Sequence, residues 1–284
     1  MRGFIFLILC ISPPLHAEPH TFKITTWNLD WLTTHSPRDE ALPPDVPLRT
    51  AYDFSRLRHY AQKLNSDIIA FQEVDDQDAI QRLFDPEQYR IFLTDDPIPQ
   101  HVGLAFRRGL NVTRNPELKS LNILHPGMHH PLRSGLDITF HFNEISLRIL
   151  VVHLKTGCWS RPLNDHKHSC PTLYQQFHII EEWILDRLDD GTPFMILGDF
   201  NRRLTLHDPL MTNIMQDTPL TLATAGYASP CQGGEKFIDH ILLGHQASFW
   251  LVPNSLRVMT YRDDPPYTAT LSDHCPVSVL LRFP

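Results

Sequence analysis

Apolar runs that stop abruptly at polar clusters recur along this chain, and they constrain its fold more than any other feature. The run from Phe22 to Trp27 is rich in β-formers and ends in Trp27-Asn28-Leu29-Asp30. Ile68-Ile69-Ala70-Phe71 ends in Gln72-Glu73-Val74, and the run 145–153 passes through His153 into Leu154-Lys155. Residues 194–197 precede Gly198-Asp199-Phe200-Asn201, and two late clusters read Ile238-Asp239-His240 and Ser272-Asp273-His274. Short apolar runs bounded by turn-forming residues read as buried strands. Further strands are expected at 102–107, 136–142, around 237–243, at 249–252 and at 277–281, with Asn143-Glu144 closing a hairpin. Two stripes have helical spacing instead. Leu57, Tyr60, Ala61 and Leu64 predict an amphipathic helix over 52–64, and Leu173, Phe177, Ile180, Ile184 and Leu188 predict the strongest helix of the chain. No repeat, low-complexity block or linker divides the series. The expectation is an α/β fold in which two sheets pack face to face with helices outside, in one domain over 18–284.

Composition narrows the functional classes. With 42% apolar and 20% charged residues, wholesale disorder is excluded. A formal net charge of −7 argues against a DNA packager, but it permits an enzyme that grips phosphate locally. Met1-Arg2-Gly3, the apolar run 4–11, Pro13-Pro14 and a small residue at Ala17 form the three-part pattern of an export signal over 1–17. That apolar run falls well short of the ~20 residues needed to span a bilayer. A secreted or periplasmic chain without a membrane anchor is therefore expected.

Removal of Cys10 with the signal leaves Cys158, Cys170, Cys231 and Cys275, an even set with three possible pairings. Cys158 and Cys170 bracket the polar loop 159–169 and are expected to pair; Cys231 with Cys275 then follows by elimination. A zinc site built from Cys158, His166, His168 and Cys170 is the competing reading.

A single Asp or His at a strand end is ordinarily a cap or turn residue. Six such clusters are harder to explain that way, because strand ends on a packed sheet hold functional groups in fixed positions. Their content is selective: carboxylates, carboxamides and imidazoles, with no nucleophile elbow, phosphate-binding glycine loop or His-Glu-x-x-His. Oxygen donors suit a hard cation that engages substrate phosphate, and neighbouring histidines suit proton transfer near neutral pH. Metal-assisted hydrolysis of phosphate esters is the chemistry this set fits.

Taken in order from Asn28 to His274, the clusters resemble those of the endonuclease/exonuclease/phosphatase superfamily, in its deoxyribonuclease I-like and exonuclease III-like branches. The resemblance implies a four-layer α/β sandwich of two mixed sheets flanked by helices. It implies that Asn28 and Glu73 bind a divalent cation, with Asp273 and Asp30 completing its polar surroundings. Mg²⁺ is the expected ion, with Ca²⁺ or Mn²⁺ as alternatives. Asp199 and Asn201 would orient water and phosphate oxygens. His274, oriented by Asp239, would contact the scissile phosphate or act as the base, and His153 would donate to the leaving oxygen. The acidic partner that some relatives give this histidine has no evident counterpart here. His240 stands where relatives often carry an aromatic or Arg, and it reads equally well as a core histidine.

The stretch Gly233-Gly234-Glu235-Lys236 lacks the signature of the inositol phosphatase branch, and export is at odds with intracellular repair. Arg107, Lys155 and Arg202 are candidate contacts to substrate phosphate, with ordinary solvated charges as the bland alternative. Trp31 and Trp159 could stack on bases or simply pack. The sequence thus predicts a monomeric, exported endonuclease acting on DNA or RNA. The alternatives are a sphingomyelinase-like phospholipid phosphodiesterase and a non-catalytic exported binding or toxin subunit. Asp263-Asp264-Pro265-Pro266-Tyr267 makes a poor membrane wedge, which favours the nuclease.

Overall fold

A computed structural model describes residues 20–35, 42–43, 46–123, 131–166, 169–216, 219–264 and 271–284. The expected export signal over 1–17, the histidines at 125, 129, 130 and 168, and residues 265–267 lie outside the described residues. Strand β1 (His20–Leu32) pairs in parallel with β2 (Ile68–Val74), and a parallel pair requires a crossover. Helix α1 (Ala51–Leu64) supplies it, one residue longer than its apolar stripe predicts. Thr50 and Asp53 form a reciprocal capping box at its start, and Asn65 ends it in the left-handed conformation. Its buried face, Phe54, Leu57, Tyr60, Ala61 and Leu64, covers the outside of the sheet.

The second half repeats this plan. Strand β7 (Ile145–His153) pairs in parallel with β8 (Phe194–Asp199), and α3 (Cys170–Asp189) makes the crossover. Around the first pair the sheet order is β11 (Arg257–Val258), β12 (Val277–Phe283), β1, β2, β4 (His101–Arg107), β3 (Tyr89–Leu93). Around the second it is β5 (Asn111–Arg114), β6 (Leu136–Phe142), β7, β8, β10 (Asp239–Gly244), β9 (Leu220–Leu222). Each sheet is therefore a parallel pair bounded on both sides by antiparallel strands. Short helices α2 (Gln77–Gln81) and α4 (Pro209–Met215) complete the outer layers.

Three apolar clusters fill the three gaps between four layers. One lies between the sheets, one under α1 and one under α3 and α4. At the end of the sandwich that holds the start of β1, Phe22, Phe140, Phe142 and Phe283 pack edge to face, with ring centroids 4.9–5.9 Å apart. Asn28 lies six residues further along β1, about 20 Å away at the rise of a strand. A rigid core thus stands behind the opposite end, where β1, β2, β7 and β8 all terminate.

The structure alters one expected strand. Residues 249–252 do not form one: His245–Phe249 is a 3-10 turn, and Leu251 makes a single bridge to Leu281. The three-residue period of that turn points Ala247 and Trp250 inward and leaves Phe249 88% exposed. Cys158 is joined to Cys170 and Cys231 to Cys275, with Cα–Cα distances of 4.9 and 6.0 Å. With both sulfurs of the first pair bonded to each other, the zinc alternative loses its thiolates.

Candidate active site

Register brings the site together before any side chain is considered. His153 on β7 lies opposite Asp199 on β8, and Asp199 lies opposite Asp239 on β10. Gly198 makes this approach possible: at φ +146° a Cβ would stand 1.9 Å from the Val152 carbonyl oxygen, so only glycine fits opposite Val152, one residue before the His153–Asp199 pair. In the other sheet Asn28 faces Gln72, and the register then shifts, turning Glu73 out at φ +60°. Non-glycine residues at positive φ concentrate here: Asp30, Trp31, Glu73, Trp159 and Asn201 are five of the nine among the described residues. Such backbone is costly and persists where neighbours fix it, a pattern typical of functional sites.

The side chains form one hydrogen-bonded array. Asn28 Nδ2 donates to Glu73 Oε1 at 3.0 Å and to Asp199 Oδ2 at 3.1 Å, while its oxygen accepts from the Asp30 N–H. Asp199 also accepts from the Asn201 N–H at 2.7 Å and from its Nδ2 at 3.2 Å. His274 Nδ1 meets Asp239 Oδ2 at 2.8 Å, leaving Nε2 toward Asp199 and Asp273 at 3.8 and 3.7 Å. A chain of buried bonds fixes this segment: Trp27 donates to the Tyr261 hydroxyl, which donates to the His274 carbonyl.

The partner of His153, which the sequence left unplaced, is a base rather than an acid. Arg133 Nη1 lies 2.9 Å from its Nδ1, and Arg133 Nη2 donates to Gln100, whose amide donates to Glu73. A guanidinium only donates, so Nδ1 accepts and the ring proton sits on Nε2, 3.5 Å from Glu73 and 3.7 Å from Asp199. Sequence reasoning missed Arg133 and Gln100 because neither belongs to a motif. A topological signal exists, however. They precede β6 and β4, strands antiparallel to the motif-bearing ones, so their starts lie at the same end as the motif strands' finishes.

Electrostatics separates the groups further. Burial, reinforced by Arg133, His274 and Lys155, holds the His153 imidazole well below its ordinary pKa. Burial also opposes charge on His274, but Asp239, Asp199 and Asp273 together hold it well above the ordinary value. Burial and the neighbouring Asp239 and Glu73 push Asp199 up to about 7 against the pull of His274 and the Asn201 N–H. Asp30 rises to about 6 through burial, Asp273 and Glu73, opposed by Arg49 and His274.

Crowded acids of this kind fit a cation. Ligand atoms of Glu73, His153 and Asp199 all lie within 4.8 Å of one another, and Oδ1 of Asp239 is buried without a hydrogen-bond partner among the described residues. Carboxylate and amide oxygens suit a hard divalent ion. Asn28 presently turns its NH₂ to the acids, so ligation through its oxygen requires the amide to turn over. Asp273, 72% exposed at the side chain, lines the cavity, whereas Asp30 does not line it and lies 3.9 Å from Arg49.

Two expected phosphate contacts lie elsewhere. Arg107 bonds Gln88 and Asn65 over the Tyr89 ring, away from the cavity. Arg202 is buried and pairs with Asp208 at 2.9 Å, so its charge is already spent. Lys155 does line the cavity, its pKa lowered by burial and by Arg133. His240 is a core histidine, its Nδ1 2.6 Å from Thr224 Oγ1 and its Nε2 3.0 Å from the Arg202 carbonyl.

Residues 25–274 match the model of the Endonuclease/Exonuclease/phosphatase family. The chain belongs to that family. Its members are typically hydrolases of phosphoesters and commonly depend on divalent metals. No curated protein matches the sequence. Among solved structures, the fold is similar to that of TDP2 from D. rerio complexed with single strand DNA product, at 16% identity and TM-score 0.60, covering 92% of this chain and 98% of that one. It is similar to the human Nocturnin catalytic domain with bound sulfate anion, at 14% and 0.57, covering 93% and 95%. The 3′ phosphatase NExo from Neisseria bound to product DNA hairpin gives 17% and 0.58, covering 92% and 100%. These likenesses establish a shared sandwich.

Proposed function

We propose that the protein is an exported, divalent-metal-dependent phosphodiesterase that hydrolyses nucleic acid, acting as an endonuclease. One observation carries this reading. The Glu73–His153–Asp199 and Asp199–Asp239–His274 clusters share Asp199, and Glu73, His153, Asp199 and His274 line one cavity of about 680 Å³, with Arg133 and Lys155 in its wall. Export is inferred from the leader pattern at 1–17, followed by a single domain over 18–284, and from the two disulfides. Among the described residues no helix is long and apolar enough to cross a membrane. The similar folds of TDP2 and NExo hold DNA products, which supports a nucleic-acid substrate.

In-line attack of water on a phosphodiester builds charge on the phosphoryl oxygens and on the leaving oxygen. Glu73, Asp199 and Asn28 are the residues that would hold a divalent ion, which when bound withdraws charge from phosphate oxygens. Asp199 and Asn201 orient the attacking water. His274, aligned and held protonated by Asp239, presents Nε2–H to the phosphate oxygens. His153 presents Nε2–H as a neutral donor, and the fixed charge of Arg133 keeps that tautomer in place.

The test uses the purified protein with plasmid DNA, RNA, sphingomyelin vesicles and a soluble phosphomonoester, each with Mg²⁺ and with chelator, beside a His274→Ala control. Chelator-sensitive cleavage of nucleic acid, lost in the control, is expected. Intact nucleic acid with cleaved sphingomyelin would transfer the protein to the lipid branch. Inertness on all four would favour a binding subunit.

A further inference from the structure

Two tryptophans line the same cavity as the acids and histidines, and each is held by a device of its own. Trp31 and Trp159 have φ of +54° and +38°, a conformation that bulky side chains rarely adopt. Arg49 pins the first: its guanidinium donates to the carbonyls of Leu29, Asp30, Trp31 and Leu271. The second follows Cys158, whose disulfide closes its loop, and it exchanges backbone bonds with the segment after β8 through Asn201 and Arg203. Arg202, excluded above from phosphate binding, donates to Cys158 Sγ and to the Arg161 carbonyl, so its buried charge braces the Trp159 loop. The outcome is a large flat ring that is still 41% exposed. Core packing does not account for a strained, doubly braced and half-open indole.

We infer that this cavity takes an unpaired nucleotide, with its base stacked on Trp159 and Trp31 while its phosphate lies at the acid–histidine array. The inference rests on the nucleic-acid reading above and adds strand selectivity to it. Indole faces stack on any base, which gives affinity without sequence preference. Paired bases are already stacked on their neighbours and offer no free face. The cavity's 680 Å³ is the size of a small-molecule pocket and has room for about one or two nucleotides. Duplex binders neutralise many phosphates at once, whereas among the described residues Arg133 and Lys155 are the only Lys or Arg side chains lining this cavity. A single strand held by two cations loses affinity with salt at a log–log slope of about −1.4.

The test compares a single-stranded oligonucleotide with its blunt duplex, using the full protein. Wild type should cleave the single strand with a kcat/KM at least tenfold above the duplex. In chelator, where no chemistry occurs, a fluorescent oligo(dT) should bind and quench tryptophan emission, and an abasic chain of equal length should not. Trp159→Ala should weaken oligo(dT) binding about 5- to 100-fold, and Trp159→Phe, which keeps a ring, should stay within about threefold of wild type. Equal cleavage of duplex and single strand, or oligo(dT) binding without quenching, would overturn the inference; quenching needs no variant to fold. A preference for sphingomyelin vesicles would overturn it in favour of a lipid. Chelator-sensitive hydrolysis of bis(4-nitrophenyl) phosphate by the same preparation reports the phosphodiesterase reading separately.

Discussion

The two flanks of the candidate active site occupy matching positions in the two half-structures, yet they carry different chemistry. On one flank His274, three residues before β12, reaches across to Asp239 at the start of β10. On the other, Arg133, three residues before β6, reaches across to Gln100 just before β4. Both pairs bridge the sheets, and between them lie Asn28, Glu73, His153 and Asp199 at the ends of the parallel strands. The first flank pairs an imidazole with a carboxylate that holds its proton; the second carries a guanidinium. A duplicated architecture thus gives two equivalent places, one used for an imidazole–carboxylate pair and one for a guanidinium that sets the tautomer of His153. The consequence is a pair of histidines held in opposite states a few ångströms from the same carboxylate, Asp199.

Breaking the His274–Asp239 flank should have the largest effect. Asp239→Asn keeps the shape but removes the charge that orients and protonates His274, and kcat should fall about 10²- to 10⁴-fold. A loss under about tenfold would mean that the pair does not act as a unit. Next is a stability effect on the same strand. His240 is buried neutral, its pKa pushed down to about 4 from an unfolded value of 6.5 by burial. Above pH 6.5 both states are neutral and stability is complete. As pH falls toward 4, the unfolded chain binds a proton that the native one refuses, costing roughly 3 kcal/mol across that window. Denaturant melts between pH 7 and 4 should show this slope, flattened in His240→Gln.

The fixed flank should respond more mildly. Arg133→Ala should lower kcat/KM about 10²-fold. Arg133→Lys should not restore it, because one ammonium does not reproduce the fork that reaches both His153 and Gln100. If lysine rescues fully, charge alone matters and the tautomer account is wrong. The smallest effect is expected at Arg107, whose bonds to Gln88 and Asn65 lie outside the site. Arg107→Ala should change kcat/KM less than twofold.

Legibility in the sequence followed burial. Strands β6 and β7 and helix α1 carry long apolar patterns, and the structure places them within a residue of expectation. The strands without a sequence signal, β3, β5, β9 and β11, are the four sheet edges. Edge strands are short and half solvated, so they build no periodicity. The site divides in the same way. Residues at motif-strand ends, from Asn28 to His274, were readable because their neighbours are conspicuous apolar runs. Arg133 and Gln100 were not, because their role depends on pairing across the sheets. Arg202 stands beside Asn201 in sequence, but the left-handed turn at Asn201, φ +52°, sends its side chain inward to Asp208.

Ring-nitrogen NMR of histidine in the metal-free protein at pH 7 tests the unequal flanks most directly. The account predicts that both nitrogens of His274 are protonated, whereas His153 carries a proton on Nε2 alone and an accepting Nδ1. A charged His153 beside a neutral His274, or a proton on His153 Nδ1, would contradict it.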